Sequence, residues 1–96
     1  MDKVLLTTVS NRLLEAKVLK KGDSYGRSAV WNYSELGVEF LDVTDPDNKI
    51  VTGCQYSAST MLNHKGGLCI HGGCREWDIP SEEFSQFSDW LGGIIK

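Results

Sequence analysis

The first apolar pattern in the chain recurs at helical spacing. Over about residues 3–20, Leu5, Val9, Leu13 and Ala16 fall at i, i+4, i+8 and i+11, which is one face of a helix. Lys20 and Lys21 would then sit at the negative end of its dipole, with Gly22 as a left-handed stop. Read instead as two strands, 3–9 and 12–19 with Asn11 between them, the same residues alternate only patchily. The spacing therefore predicts an N-terminal helix.

From Ser28 the pattern becomes that of strands. Ala29, Trp31 and Tyr33 alternate with Ser28, Val30 and Asn32, and Val38, Phe40, Leu41 and Val43 mark a second strand that is apolar on both faces or bulged. Asp45-Pro46-Asp47-Asn48 is a turn, with Pro46 pre-setting φ and Asp and Asn at the flanking positions. Ile50, Thr52, Cys54 and Tyr56 share one face of a third strand that could run on towards Leu62. After a second hairpin turn at His64-Lys65-Gly66-Gly67, Leu68 and Ile70 oppose Cys69 and His71 in a fourth strand. That strand is interrupted at Gly72-Gly73 and resumes from Cys74 to Trp77.

The last element is a helix. Pro80 precedes Ser81 as N-cap, Glu82 and Glu83 occupy the first turn, and Phe84, Phe87 and Leu91, with Trp90 beside them, form an apolar stripe that Gly92-Gly93 should end. The expected fold is α+β in two layers: an N-terminal helix, a four-stranded antiparallel sheet and a C-terminal helix, as one domain over residues 1–96.

Composition narrows the class. A chain of 96 residues with 41% hydrophobic and 24% charged positions is expected to fold. Its apolar runs never exceed three residues, far short of the roughly 20 that cross a bilayer. The start, Met1-Asp2-Lys3-Val4-Leu5-Leu6, lacks the long apolar centre of a signal peptide. Three cysteines are an odd number with no secretory context, so a reduced cytoplasmic protein is expected rather than a disulfide framework.

The net charge of −3 is unevenly spread. Residues 1–34 hold six basic groups against three acids, whereas residues 35–48 hold Glu35, Glu39, Asp42, Asp45 and Asp47 and no base. Such a segment repels nucleic acid and favours a basic protein surface. The basic stretch 12–27, with Arg12, Lys17, Lys20, Lys21 and Arg27, keeps nucleic-acid binding open as an alternative, although Tyr25 is the sole ring within it that could stack a base.

Cys54, His64, Cys69, His71 and Cys74 form the most pointed chemical cluster. Zinc needs four thiolate or imidazole ligands, and Cys69-Ile70-His71-Gly72-Gly73-Cys74 offers three within six residues, with Cys54 or His64 to complete the set. Neither Cys-x-x-Cys nor a His-x(3–5)-His pair is present, however, and buried thiols commonly just fill a core. A thiol enzyme would use Cys69 or Cys74 as nucleophile, His64 or His71 as base and Asp78 to orient it, but no local signature supports it and a catalytic role is not expected. Lys65-Gly66-Gly67 lacks the frame of a phosphate loop, and no calcium-loop spacing occurs.

The aromatic inventory carries the remaining signal, with three Trp, three Tyr and three Phe. Trp31 reads as core, whereas Tyr33 and Tyr56 could present their rings to a partner. Beside the acidic stretch they suggest a small acidic protein-binding module, an inhibitor that occludes a basic site on a protein partner such as a nucleic-acid-handling complex. The proposed contacts are Tyr33, Glu35, Glu39, Asp42, Asp45, Asp47 and Tyr56. Small phage and mobile-element proteins, including anti-defence factors and toxin-immunity partners, share this size and character, which is an analogy of build alone. The competing expectations are a zinc-stabilised module using Cys54, Cys69, His71 and Cys74, and the nucleic-acid binder. No cofactor other than zinc and no membrane partner is expected, and an exposed strand edge or the Ile94-Ile95 tail would allow a homodimer.

Overall fold

A computed structural model describes residues 3–26, 28–64, 67–72 and 75–95, the side chains of residues 52–55, 71, 72 and 75 excepted. It is mixed α+β with a C-terminal helix, but the N-terminal segment is a hairpin and not a helix. Strand β1 (Lys3–Thr7) pairs antiparallel with β2 (Leu13–Leu19), placing Leu6 opposite Leu14 and Val4 opposite Ala16. Leu14, Ala16 and Val18 are buried on one face while Leu13, Glu15 and Lys17 face outwards. The period is therefore two. Three of the four residues in the supposed helical stripe are exposed: Leu5 at 52%, Val9 at 67% and Leu13 at 37%.

The reversal between the strands explains the choice. Thr8 N–H donates to Arg12 O, Asn11 N–H donates to Thr8 O, and Arg12 N–H donates to Thr8 Oγ1, with Asn11 at φ 62°. Asn is one of the few side chains that tolerates this left-handed conformation, so the lone Asn11 is a hairpin signal. Gly22, at φ 96°, does stop an element, but the element is a strand.

Two short strands, β3 (Ser24–Tyr25) and β4 (Ala29–Val30), form a miniature hairpin, so the expected strand from Ser28 shrinks to two residues. Strand β5 (Gly37–Asp42) then pairs with β2 and with β6 (Ile50–Ser57), giving a four-stranded antiparallel sheet in the order β1-β2-β5-β6. Of the four expected strands only β5 and β6 belong to this sheet, the N-terminal hairpin supplying the other two members. The β5–β6 register shifts between Glu39 and Leu41, where one residue of β5 faces three of β6, while the pairing of β5 with β2 is unbroken; the irregularity therefore lies in β6 and not in the strand for which a bulge was one expectation. The turn at Asp45-Pro46-Asp47-Asn48 also forms: Asn48 N–H donates to Asp45 O and Asp47 N–H to Asp45 Oδ1, both at 3.0 Å.

Beyond Ser57 the chain does not continue as a strand. Ser57 caps a short helix, α1 (Ala58–Leu62), its side chain accepting from Thr60 N–H. Strands β7 (Leu68–Gly72) and β8 (Arg75–Ile79) pair antiparallel with Gly72 opposite Arg75, so they are two strands of a hairpin and not one interrupted strand. β7 lies against β6, and Val9 N–H in the first hairpin donates to Asp78 O of β8 at 2.8 Å.

Helix α2 (Ser81–Ile95) begins at Ser81 and runs through Gly92-Gly93 to Ile95, so the predicted stop does not act. Its stripe of Phe84, Phe87 and Leu91 packs on Leu6, Leu14, Phe40, Ile70 and Trp77 in one continuous core. Glu83 Oε1 accepts from Thr7 N–H and Gln86 Nε2 donates to Leu5 O, so helix side chains cover part of the β1 edge. Among the described residues no helix is long and apolar enough to cross a membrane.

Candidate functional site

Alternation along β5 sends Val38, Phe40 and Asp42 inwards, and Gly37, Glu39 and Leu41 to the opposite face. A cluster of polar and aromatic side chains stands near each of the two ends of this strand. At about 3.3 Å per residue they stand about 17 Å apart.

At the Gly37 end, residues 20–26 and 28–36 fold back over the outer face of the sheet. Asp23 N–H donates to Lys20 O, Trp31 N–H donates to Asp23 O, and Gly22 N–H donates to Trp31 O. These bonds fix the backbone on both sides of Trp31. Its indole N–H donates to Glu35 O at 2.8 Å, and the ring is only 6% exposed. Gly37 makes room for it: a Cβ there would come within 2.5 Å of Trp31 Cζ2. Tyr25 meets the indole edge-on at 6.0 Å and 72°, and Tyr33 does so from another side at 4.8 Å and 62°. Tyr33 remains 60% exposed. The three rings, with Glu35 and Ser57, line a cleft of about 330 Å³.

The same excursion buries Glu39. This carboxylate is 3% exposed and accepts from Gly26 N–H at 2.7 Å, so it holds the β3–β4 hairpin to the sheet and does not face a partner.

At the other end Asp42 is buried as well. Oδ2 accepts from Arg12 Nε at 2.5 Å and from the Trp77 indole N–H at 2.9 Å, while Oδ1 accepts from Thr44 N–H and Thr44 Oγ–H. Burial alone would raise this carboxyl's pKa, but the donors from Arg12, Thr44 and Trp77 outweigh it and hold the group below the usual carboxylate range. Asp42 is thus a structural tie between β5, β8 and the first hairpin, a second correction to the expected acidic surface. A cleft of about 570 Å³ beside it is lined by Arg12, Thr44, Asp45, Asn48, Ile50, Glu76 and Trp77.

Of the remaining expected contacts, Tyr33 and Glu35 come together, and Asp45 and Asp47 are exposed in the turn at the far end of β5. Tyr56 goes elsewhere. Its register partner is Val38, its ring meets Phe40 edge-on at 6.3 Å, and it packs half-buried against the core. The neighbouring Ser57 lines the aromatic cleft instead. The basic residues of the 12–27 stretch are divided too. Arg12 sits at one end of β2 and Lys20 and Lys21 beyond the other, about 25 Å apart along the strand direction, and Arg27 lies outside the described residues.

For the zinc set, the side chains of Cys54 and His71 and the whole of Cys74 lie outside the described residues. Cys69 has acidic neighbours: its ligand atom and those of Glu76 and Asp78 lie within 4.8 Å of one another. The thiol bonds to the Asp78 carboxylate, and that bond, then partial burial, then the charges of Asp78 and Glu76, push its pKa up to about 11. Such a thiol is held protonated at neutral pH, the reverse of an activated nucleophile. His64 does not serve it either, since Nε2 is bonded to Gly67 O at 2.9 Å and the ring packs on Phe84.

Sequence reasoning missed Tyr25 and Ser57 as cleft walls, Gly37 as the seat of Trp31 and the union of Arg12, Asp42 and Trp77. The alternation of Trp31 and Tyr33 was a usable sign of the first; nothing local marks the last. The chain matches no family model, no curated protein and no solved structure.

Proposed function

We propose that this protein is a binding module that captures a positively charged segment of a protein partner at the Gly37 end of β5. The observation that carries this reading is Tyr33: a large ring left 60% exposed, braced against an immobilised Trp31 and lining a cleft with the Glu35 carboxylate. Aromatic anchors on a rigid base bind with little loss of conformational freedom, and a carboxylate beside them favours Lys or Arg. Asp45 and Asp47 are exposed at the other end and, with the net charge of −3, would steer approach rather than make the central contact. If the captured segment belongs to the partner's working surface, binding occludes it. The basic face of a nucleic-acid-handling protein suits such an inhibitor.

A short Lys- and Arg-containing peptide titrated into isotopically labelled protein tests this. The expected result is saturable movement of the amide signals of residues 25–35, weakened several-fold by Tyr33→Ala or Glu35→Lys, and reduced only slightly when Asp45 and Asp47 are both changed to Lys. Absence of those shifts, or shifts indifferent to Tyr33 and Glu35, would reject the reading.

A further inference from the structure

The β7–β8 hairpin carries a separate group of residues, independent of the aromatic cleft, and we propose that Cys69, His71, Glu76 and Asp78 form a zinc-binding site on it. The register sets Cys69 opposite Asp78 and His71 opposite Glu76. Positions 69 and 71 are two apart on one strand, and 76 and 78 two apart on the other, so all four share one face of the ribbon. Directly opposed residues hold their Cβ atoms about 4.5–5.5 Å apart. The pairing therefore brings a thiol, an imidazole and two carboxyl groups to one two-by-two set of positions.

The ligand atoms of Cys69, Glu76 and Asp78 converge more closely than the register requires. Glu76 and Asp78 lie about 7 Å apart along β8, at about 3.3 Å per residue. Their carboxylate oxygens and Cys69 Sγ nonetheless all lie within 4.8 Å of one another. Both acids are exposed, and like charges in water gain by turning apart. Here they lean towards a common point beside the thiol. Zinc would complete the movement, since bonds of about 2.0–2.3 Å set neighbouring tetrahedral ligand atoms about 3.3–3.8 Å apart, roughly 1 Å of further approach.

The donor set selects the metal. Calcium and magnesium take oxygen ligands and gain nothing from sulfur or imidazole, whereas thiolate, imidazole and carboxylate together suit zinc. As the Zn–S bond forms, the thiol proton passes to solvent and the bond from Cys69 to Asp78 gives way to a shared ion. The ribbon beneath is fixed in advance. Ile70, Trp77 and Ile79 on its other face are buried in the core, Trp77 is tied to Asp42, and Asp78 O accepts from Val9 N–H. The proposed set keeps Cys69 and His71 from the sequence-based one and takes Glu76 and Asp78 in place of Cys54 and Cys74.

Cobalt(II) titrated into the reduced, chelator-treated full chain tests the site, because a thiolate–cobalt bond gives a near-ultraviolet charge-transfer band and a tetrahedral site gives intense visible bands. Both should saturate at one equivalent, and one equivalent of zinc should displace the cobalt. Cys69→Ser should remove the charge-transfer band, and His71→Ala and Asp78→Asn should each weaken cobalt binding tenfold or more. Cys54→Ser and Cys74→Ser should leave the spectrum unchanged. Circular dichroism confirms that the variants fold, and Asp78→Asn, which keeps the side chain's shape, decides the matter if Cys69→Ser does not. Absence of a thiolate band overturns the site, as does a band that survives Cys69→Ser or is lost with Cys54→Ser or Cys74→Ser. Binding indifferent to Glu76→Gln and Asp78→Asn together overturns the carboxylates as ligands, and displacement of cobalt by an equal concentration of magnesium overturns zinc as the ion.

Discussion

Trp77 donates its indole N–H to Asp42 Oδ2 at 2.9 Å, with both side chains buried, and so ties strand β8 to the four-stranded sheet. Arg12 reaches the same oxygen from the tip of the first hairpin. Three segments far apart in the chain therefore share one carboxylate. Removing it by Asp42→Ala leaves a guanidinium and an indole N–H without their acceptor, and the expected cost is about 3–5 kcal/mol. Arg12→Ala should cost less, because Asp42 keeps its bonds to Thr44 and Trp77. Urea unfolding followed by tryptophan fluorescence measures both, and an Asp42→Ala loss below about 1 kcal/mol would show the tie to be dispensable.

The same carboxylate makes stability depend on acid. Its pKa in the folded protein lies below the unfolded value of about 3.9, so the unfolded chain takes up the proton first. The stabilisation is fully present above the unfolded value and is lost as pH falls towards the folded one. Between about pH 5 and pH 2 the urea midpoint of the native protein should fall more steeply than that of Asp42→Asn, which has no such proton to bind. Parallel curves would mean that other carboxyls govern acid unfolding.

Gly37 offers a test of the aromatic end that leaves every ring in place. A methyl group there would overlap Trp31 Cζ2, Cη2 and Cε2, all within 2.8 Å. Gly37→Ala should cost about 1–3 kcal/mol by overpacking and should displace the indole. Near-ultraviolet circular dichroism would report the displaced ring, and peptide binding at residues 25–35 should weaken with it. An unchanged spectrum and affinity would mean that the indole can occupy another seat without loss.

Leu13 and Leu14 separate a hairpin from a helix by their contrast. Leu14 is fully buried and Leu13 is 37% exposed. Leu14→Ala should cost about 2–5 kcal/mol, and Leu13→Ala under about 1 kcal/mol. The helical stripe demands the opposite order, so thermal unfolding of the two variants distinguishes them.

Cys69 should be slow to alkylate. With its pKa pushed up to about 11, chiefly by the bond to Asp78, little thiolate exists near pH 8. Mass spectrometry of digests after timed iodoacetamide treatment should show Cys69 reacting roughly tenfold or more slowly than a free thiol, and Asp78→Asn should accelerate it. A rate unaffected by Asp78→Asn would place the cause in burial instead.

Much of the α+β character was legible before the structure, unevenly and for physical reasons. The turn at Asp45-Pro46-Asp47-Asn48 and the stripe of Phe84, Phe87 and Leu91 both rest on patterns within a few residues. The N-terminal segment was misread because Leu5, Val9 and Leu13 sit at helical spacing by coincidence, while the pairing that overrides it, Leu6 with Leu14 and Val4 with Ala16, is between strands. The glycines of α2 failed as a stop for a related reason. A Gly costs a helix only about 1 kcal/mol relative to Ala, and packing of the preceding turns on the core exceeds that.

The candidate site divides along the same line. Tyr33 and Glu35 are near neighbours in the chain, and their association needs little beyond the local course of residues 31–35. Composition and local pattern alone determined a small mixed α+β chain, acidic overall, with a ring beside a carboxylate. Which carboxylates face water was decided only by tertiary structure: Glu35, Glu39 and Asp42 look alike in sequence, yet Glu39 lies under the β3–β4 hairpin and Asp42 under Trp77 and Arg12. Burial of a charge depends on donors brought from distant strands, and those donors exist only once the sheet has closed around them.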